Sequence, residues 1–153
     1  MNTILRRTTY IVNDIEESIK FYRDIIGLNL LWKTETVLNG NIPVGSPGDK
    51  AKFVAFNGND PIIGMVAFMQ LLNNEKKNNF TNLDKNLESG DSILVLGVEN
   101  CDEIFINLKE INANIFKSPF NNTVNGRDGK KIKMRSMFAW DPNNIFLEIN
   151  QRL

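Results

Sequence analysis

The sequence contains no histidine and a single cysteine, Cys101. Most transition-metal sites, the Ser-His-Asp triad and the Cys-His dyad depend on one or more of these side chains. Zinc fingers, histidine-based metal triads and histidine-activated nucleophiles are therefore excluded. The lone cysteine also excludes a disulfide within the chain, which suits a reducing compartment.

Charge and long apolar runs are also limited. The 18 basic and 18 acidic residues balance to a formal net charge of zero. Proteins that bind nucleic acid or anionic membranes usually carry a basic excess, so neither partner is expected. No run approaches the roughly 18 apolar residues of a membrane-spanning helix. The first residues also lack the apolar segment of a secretion signal, and we predict a cytoplasmic protein.

The N-terminal stretch predicts a strand followed by a capped helix. β-Branched and aromatic residues alternate from Arg7 to Val12, which is typical of a strand with two different faces. Asp14 is a helix cap with Glu17 three residues later, and Gly27 ends the helix because glycine adopts a positive φ without strain. The helix should bury one stripe: Ile15, Ile19, Tyr22 and Ile26.

Three apolar segments predict further strands, at 29–37, 51–56 and 62–72. A loop rich in glycine and proline separates the first two. With the opening strand and helix, they make a βαβββ module over residues 1–72. Residues 73–91 are polar and rich in asparagine, and we predict a linker there.

The same order returns after the linker. An offset of 86 residues aligns Asp14 with Asn100 and Glu17 with Glu103, so a second capped helix is expected. The further elements are a strand at 92–98, a buried stripe of Ile104, Leu108 and Ile111, strands at 113–117, 132–140 and 145–150, a loop at 120–131 and a turn at 141–144. The chain is predicted to be an α+β protein of two tandem βαβββ modules, the second over residues 92–153.

The segments VNDIEESIKFYRDIIGLNL and FAWDPNNIFLEI resemble the two diagnostic stretches of the glyoxalase, bleomycin-resistance and extradiol-dioxygenase superfamily, also called the vicinal oxygen chelate fold. The resemblance implies one glyoxalase-like domain over residues 1–153. Its mixed sheets would curl into a cup with the helices outside, and members are commonly homodimers. Asn144 stands where the family usually has glycine, and asparagine also accepts a left-handed conformation.

In metal-using members four ligands converge on the floor of the cup, and the family pattern places them at Arg7, Gln70, Ile93 and Glu148. Only Glu148 is a residue that the family expects there. Arginine has no lone pair to give and isoleucine has no donor atom, so we predict no metal and no cofactor. An ion pair between Arg7 and Glu148 would replace the metal, because either charge buried alone is costly. An oxygen-only Mg²⁺ or Ca²⁺ site using Glu148 and Gln70 stays open.

Two functions follow from this resemblance, and they leave open whether the protein is an enzyme. The first is metal-independent binding of a small organic molecule, similar to bleomycin resistance proteins, with Arg7 anchoring an oxygen of the ligand. The second is a metal-free lyase or isomerase, with Glu148 as general base and Arg7 stabilising an oxyanion. A metal-dependent enzyme resembling lactoylglutathione lyase or a dioxygenase is a third, more distant alternative.

The candidate site residues follow from the same resemblance. Their aromatic and methionine members are also common in ordinary cores, which is the competing interpretation. The residues expected to contact the ligand are Arg7, Thr9, Trp32, Phe53, Phe68, Gln70, Ile93, Met137, Trp140, Phe146 and Glu148.

Overall fold

The computed structural model describes residues 5–60, 64–72, 86–126 and 129–153. The chain divides into two compact units, Met1–Asn79 and Phe80–Leu153, and each is described by itself. Within the described ranges, each unit contains a four-stranded mixed sheet and one helical element. None of the helices in these ranges is long and apolar enough to cross a membrane.

The first unit has the predicted βαβββ order. Its sheet runs β1-β4-β3-β2, with β1 parallel to β4 and the other pairs antiparallel. Gly27 has a φ of +85° just past the helix, as predicted. The predicted strand at 62–72 is observed from Met65, because residues 61–63 lie outside the described ranges. The elements are β1 Arg7–Ile11, α1 Ile15–Ile19 with a π-helical continuation Lys20–Ile25, β2 Asn29–Val37, β3 Lys50–Asn57 and β4 Met65–Leu71.

The second unit repeats this arrangement. Its sheet runs β5-β8-β7-β6, with β5 parallel to β8 and the other pairs antiparallel. The α+β class and the two tandem βαβββ modules are therefore confirmed. The elements are β5 Ile93–Gly97, α2 Cys101–Glu110, β6 Ile115–Asn125, β7 Lys131–Trp140 and β8 Phe146–Arg152.

The prediction for residues 113–131 is wrong in part, because β6 continues through what was expected to be a loop. Residues as far as Asn125 pair with β7 in antiparallel register. Phe120 also stacks on Phe138 of β7, with ring centroids 6.1 Å apart. The segment is poor in strand-forming residues, and its pairing with β7 decides its conformation.

Each helix covers one face of the sheet in its own unit. The predicted stripe of α1 is buried, and the ring of Tyr22 stacks on Phe68 with centroids 4.6 Å apart. In α2, Ile104 and Leu108 are buried as predicted, but Ile111 is 38% exposed because the helix ends one residue earlier. We call the covered side of each sheet the helix face, and the side turned away from that unit's helix the open face.

The caps predicted at the two helix starts are confirmed. The Asp14 carboxylate accepts hydrogen bonds from the backbone N–H groups of Glu16 and Glu17, at 2.9 and 3.2 Å. The Asn100 side chain accepts one from the N–H of Glu103, at 3.2 Å. These bonds satisfy amides that have no acceptor within the helix.

A second hydrogen bond is repeated in the two units and was not predicted. Gln70 Oε1 accepts from the N–H of Ile15 at 3.0 Å, and Gln151 Oε1 accepts from the N–H of Cys101 at 3.1 Å. Both acceptors lie on the inner strand that pairs with the parallel edge strand, which is β4 in the first unit and β8 in the second. Both donors are the first residue of a helix. Each helix start is therefore tied to an inner strand of its sheet.

The polar groups beside α2 are also structural. Arg135 donates to both carboxylate oxygens of Asp102, at 2.6 and 2.7 Å, and this hydrogen bonding lowers the pKa of the Asp102 carboxyl. Burial raises the pKa of the Cys101 thiol, which is fully buried. Because a thiol is nucleophilic only when ionised, Cys101 is a core residue and not a nucleophile.

We predict that Gln70→Ala and Gln151→Ala will each lower the free energy of unfolding by about 1–3 kcal/mol, because each leaves a helix amide without its acceptor. Urea denaturation measures the change. Gln70→Glu and Gln151→Glu keep an acceptor oxygen and should recover most of the loss at neutral pH. Unchanged stability in both alanine variants would show that these bonds contribute nothing.

Candidate functional site

Strand alternation sorts the predicted site residues between the two faces of each sheet. Side chains alternate along a strand, and directly opposed residues on neighbouring strands point to the same face. In the first sheet, Phe68 lies on the helix face because it stacks on Tyr22 of the π-helical continuation. In the second sheet, Gln151 lies on the helix face because it bonds the first amide of α2. Eight predicted residues fall on the open faces: Arg7, Thr9, Trp32 and Phe53 in the first unit, and Ile93, Trp140, Phe146 and Glu148 in the second.

Three predicted residues, Phe68, Gln70 and Met137, lie on the helix faces instead. Phe68 is fully buried against Tyr22, and Met137 is also fully buried. The side-chain oxygen of Gln70 is engaged by the helix amide of Ile15. Each of the three is one residue out of phase with the open face, and its contact with a ligand stays a prediction.

Arg7 lies over two aromatic rings on the open face of the first unit. Its guanidinium carbon is 4.9 Å from the ring centroid of Phe53 and 5.7 Å from that of Trp32. The two rings are 5.5 Å apart, and Trp32 keeps 39% of its surface exposed. Among the described residues of the first unit, no carboxylate lies within 4 Å of Arg7. We call Arg7, Trp32 and Phe53 the Arg7 platform.

The floor beside the Arg7 platform is apolar and built from small side chains. Phe53 packs with the fully buried Ala55 and Ala67, and Met69 packs against this cluster. Thr9 lies opposite Ala67 in the register of β1 and β4. Sequence reasoning missed Met69, although its position two residues after Ala67 predicts the same face. The result is a buried apolar layer next to a cation.

The open face of the second unit carries a row of aromatic side chains. Phe146 packs edge to face with Trp140 at 4.7 Å and stacks on Phe138 at 5.8 Å. Phe120 stacks on the other side of Phe138. Phe138 was missed, although it lies two residues before Trp140, and Phe120 was missed because it was placed in a loop. Ile93 on the neighbouring strand remains 49% exposed.

Glu148 is held by a chain of hydrogen bonds that sequence reasoning did not predict. Asn150 Nδ2 donates to Glu148 Oε1 at 2.8 Å, and Ser136 Oγ donates to Asn150 Oδ1 at 2.6 Å. Asn122 Nδ2 then donates to Ser136 Oγ at 3.2 Å. The remaining side-chain oxygen of Asn122 is buried and has no partner among the described residues. An ionised carboxylate only accepts hydrogen bonds, so Glu148 fixes the direction of the chain.

The turn before β8 has a fixed geometry. Asp141 Oδ1 accepts from the N–H groups of Asn143 and Ile145, at 2.8 and 2.7 Å. Asn144 has a φ of +63°, which confirms the left-handed conformation expected from the sequence. This turn therefore determines where β8 begins, and so it helps to position Glu148.

The four positions that the family uses for metal ligands do not form a suitable donor set in this chain. Arg7 carries a permanent positive charge, and Ile93 offers no donor atom. Gln70 faces a helix amide, so Glu148 is the one remaining ligand. In the part of the chain that the structure describes, no three His, Cys, Asp or Glu side chains cluster as a metal site requires. The predicted Arg7–Glu148 ion pair would join the two units and stays a prediction.

The comparisons with known proteins agree on one family. A family model described as the Glyoxalase/Bleomycin resistance protein/Dioxygenase superfamily matches residues 4–149. A search of curated proteins finds no match. The chain is similar to the solved structure of a glyoxalase family protein from Bacillus cereus, with 17% identity, a TM-score of 0.75 and coverage of 99% of this chain and 97% of that one.

Two other solved structures show the same fold. One is a glyoxalase/dioxygenase from Nostoc punctiforme, with 17% identity, a TM-score of 0.63 and coverage of 100% of this chain and 99% of that one. The other is the trypanothione-dependent glyoxalase I of Leishmania major, with 19% identity, a TM-score of 0.58 and coverage of 98% and 87%. The family model spans nearly the whole chain, and this protein therefore belongs to the glyoxalase, bleomycin resistance protein and dioxygenase superfamily.

Proposed function

We propose that the protein binds a small organic molecule on the Arg7 platform and does so without a metal ion. The observation that carries this proposal is the guanidinium of Arg7 lying over Phe53 and the half-exposed Trp32, with no carboxylate among the described residues of the first unit within 4 Å of it. The name of the superfamily includes bleomycin resistance proteins, which supports a binding role. The proposal extends to a cytoplasmic homodimer, the location and assembly expected from the sequence.

The chemistry of the platform indicates the class of ligand. A planar, partly apolar molecule can stack on the exposed part of Trp32. The guanidinium edge of Arg7 can then donate two parallel hydrogen bonds to a carboxylate, or a single one to a carbonyl oxygen. The two rings beside the guanidinium restrict its motion, so little conformational freedom is lost on binding. An aromatic carboxylate meets all of these requirements.

We predict that Arg7→Met will weaken the binding of naphthoate, a planar aromatic anion, by about 10–100-fold in isothermal titration calorimetry. Hydrogen bonds to charged groups contribute about 1.5–3 kcal/mol, which corresponds to that range. Arg7→Lys should recover only part of the affinity, because lysine lacks the planar fork. The uncharged methyl ester of naphthoate accepts at most a single neutral hydrogen bond through its carbonyl oxygen and should lose less affinity than naphthoate.

The neighbouring Arg6→Met is the matched control, since it removes the same charge one residue away. Its affinity for naphthoate should stay within about twofold of the unchanged protein. If Arg6→Met and Arg7→Met lose the same affinity for naphthoate, the effect comes from net charge alone and not from the position of Arg7. An unchanged affinity in Arg7→Met would overturn the proposed site.

The anchored position of Glu148 favours catalysis as a second candidate function. A general base must be held in place, and the chain through Asn150 and Ser136 holds this carboxylate on the open face of its unit. A ligand recovered unchanged after incubation supports binding alone. If a ligand is converted, Glu148→Gln should reduce turnover by a factor of about 100 or more, and Glu148→Asp by less. Turnover that survives Glu148→Gln would remove this residue as the base.

We predict that elemental analysis of the untagged protein will find less than stoichiometric zinc, iron, nickel and manganese. The donor set of Arg7, Gln70, Ile93 and Glu148 gives a transition metal one good ligand where three or four are needed. A histidine tag must be absent, since it would supply the missing ligands. Near-stoichiometric metal that Glu148→Gln abolishes would overturn metal-independent binding.

A further inference from the structure

The open face of the second unit contains a depression, and none of the residues that line it belongs to the Arg7 platform. Its volume is about 430 Å³, within the range of sites for small molecules. It lies at the end of the sheet where β5 and β8 finish. The lining residues that matter here are Val95, Gly97, Glu99, Met134, Asn150 and Arg152.

The floor of the depression is apolar and has room for a side chain. A Cβ atom added to Gly97 would meet no atom within 4 Å, so the space above this residue is open. Val95 is 59% exposed beside it, and Met134, which pairs with Arg152, lines the same space from β7. Burial of these apolar surfaces by an aliphatic group would be favourable.

The polar part of the depression consists of one fixed amide and two opposite charges. Asn150 is held in place by its hydrogen bonds to Ser136 and Glu148. Glu99 and Arg152 line the same space, and the structure records no ion pair for either one among the described residues. A ligand that carries both charges would complement this pair, whereas a simple anion or cation would meet one unfavourable charge.

We propose that this depression binds a small zwitterion with a branched aliphatic side chain, of the class of the free aliphatic α-amino acids. The carboxylate of the ligand pairs with Arg152 and its ammonium group with Glu99. The aliphatic group packs on Val95, Gly97 and Met134. This second site does not rest on the function proposed for the Arg7 platform, because the two share no residue.

Heteronuclear NMR titration of the full chain with L-leucine tests the proposal. Saturable amide shifts are expected at the residues that line the depression, with a dissociation constant of about 1 mM or tighter. Isocaproate lacks the ammonium group of leucine, and isoamylamine lacks its carboxylate. Each should bind at least about tenfold more weakly than leucine.

Three variants locate the site. Gly97→Leu fills the depression and should abolish the shifts, while Arg152→Gln and Glu99→Gln should each weaken leucine binding at least about tenfold. Lys133→Gln removes a charge from the helix-face side of β7 and is the matched control. The amide signals of Gly97→Leu outside the depression should keep the dispersion of the unchanged protein, which shows that this variant is folded.

The proposal is overturned by any of four results. These are the absence of saturable shifts with leucine, shifts confined to residues outside the depression, equal affinity for leucine and isocaproate, and full leucine affinity in Gly97→Leu. Loss of naphthoate binding in Arg7→Met has no bearing on any of them, so the two sites succeed or fail separately.

Discussion

Burial of one face of each sheet beneath a single short helix is the constraint on which the rest of this structure depends. Tyr22 meets Phe68 in the first unit, and the fully buried Leu108 of α2 faces the second sheet. Full burial of a large apolar side chain contributes about 1.5–3 kcal/mol, so a few such residues orient a helix. Once the helix occupies one face, alternation leaves every second strand residue on the other. The residues of the Arg7 platform all belong to this second set.

The two Gln–amide hydrogen bonds also fix the position of each helix start on its sheet. Gln70 and Gln151 join an inner strand to the first amide of a helix in each unit. A backbone amide buried without an acceptor is costly, so the helix start and the strand are held in one register. The same bond in both units is evidence of a repeated module that is independent of sequence similarity, because 81 residues separate the glutamines whereas the helix starts are 86 apart.

Much of the fold could be predicted because its signals are local. Caps at Asp14 and Asn100, a glycine stop and a repeated order of elements each depend on a few neighbouring residues. The face of a strand residue is different, because a period of two divides residues into two sets without saying which set faces the helix. The sequence therefore could not show that Phe68, Gln70 and Met137 lie on the helix faces. The extent of β6 depended on its partner strand, which no local pattern reveals.

Arginine at position 7 shows how one fold can host different sites. The family's metal chemistry needs a lone pair at this position, and the guanidinium instead uses its charge and flat surface against Trp32 and Phe53. Aromatic rings stabilise a cation that lies over them, so the guanidinium does not need a carboxylate partner at that position. The sheet and its register can thus be kept while the ligand chemistry of the site is replaced.

The hydrogen-bond chain of the second unit has a consequence for how far one side chain acts across the sheet. All its donors point toward Glu148, and the far end leaves the side-chain oxygen of Asn122 without a partner among the described residues. Asn150, Ser136 and Asn122 lie on three neighbouring strands, β8, β7 and β6. A carboxylate on an inner strand thereby orients a side-chain amide on the edge strand, two strands away.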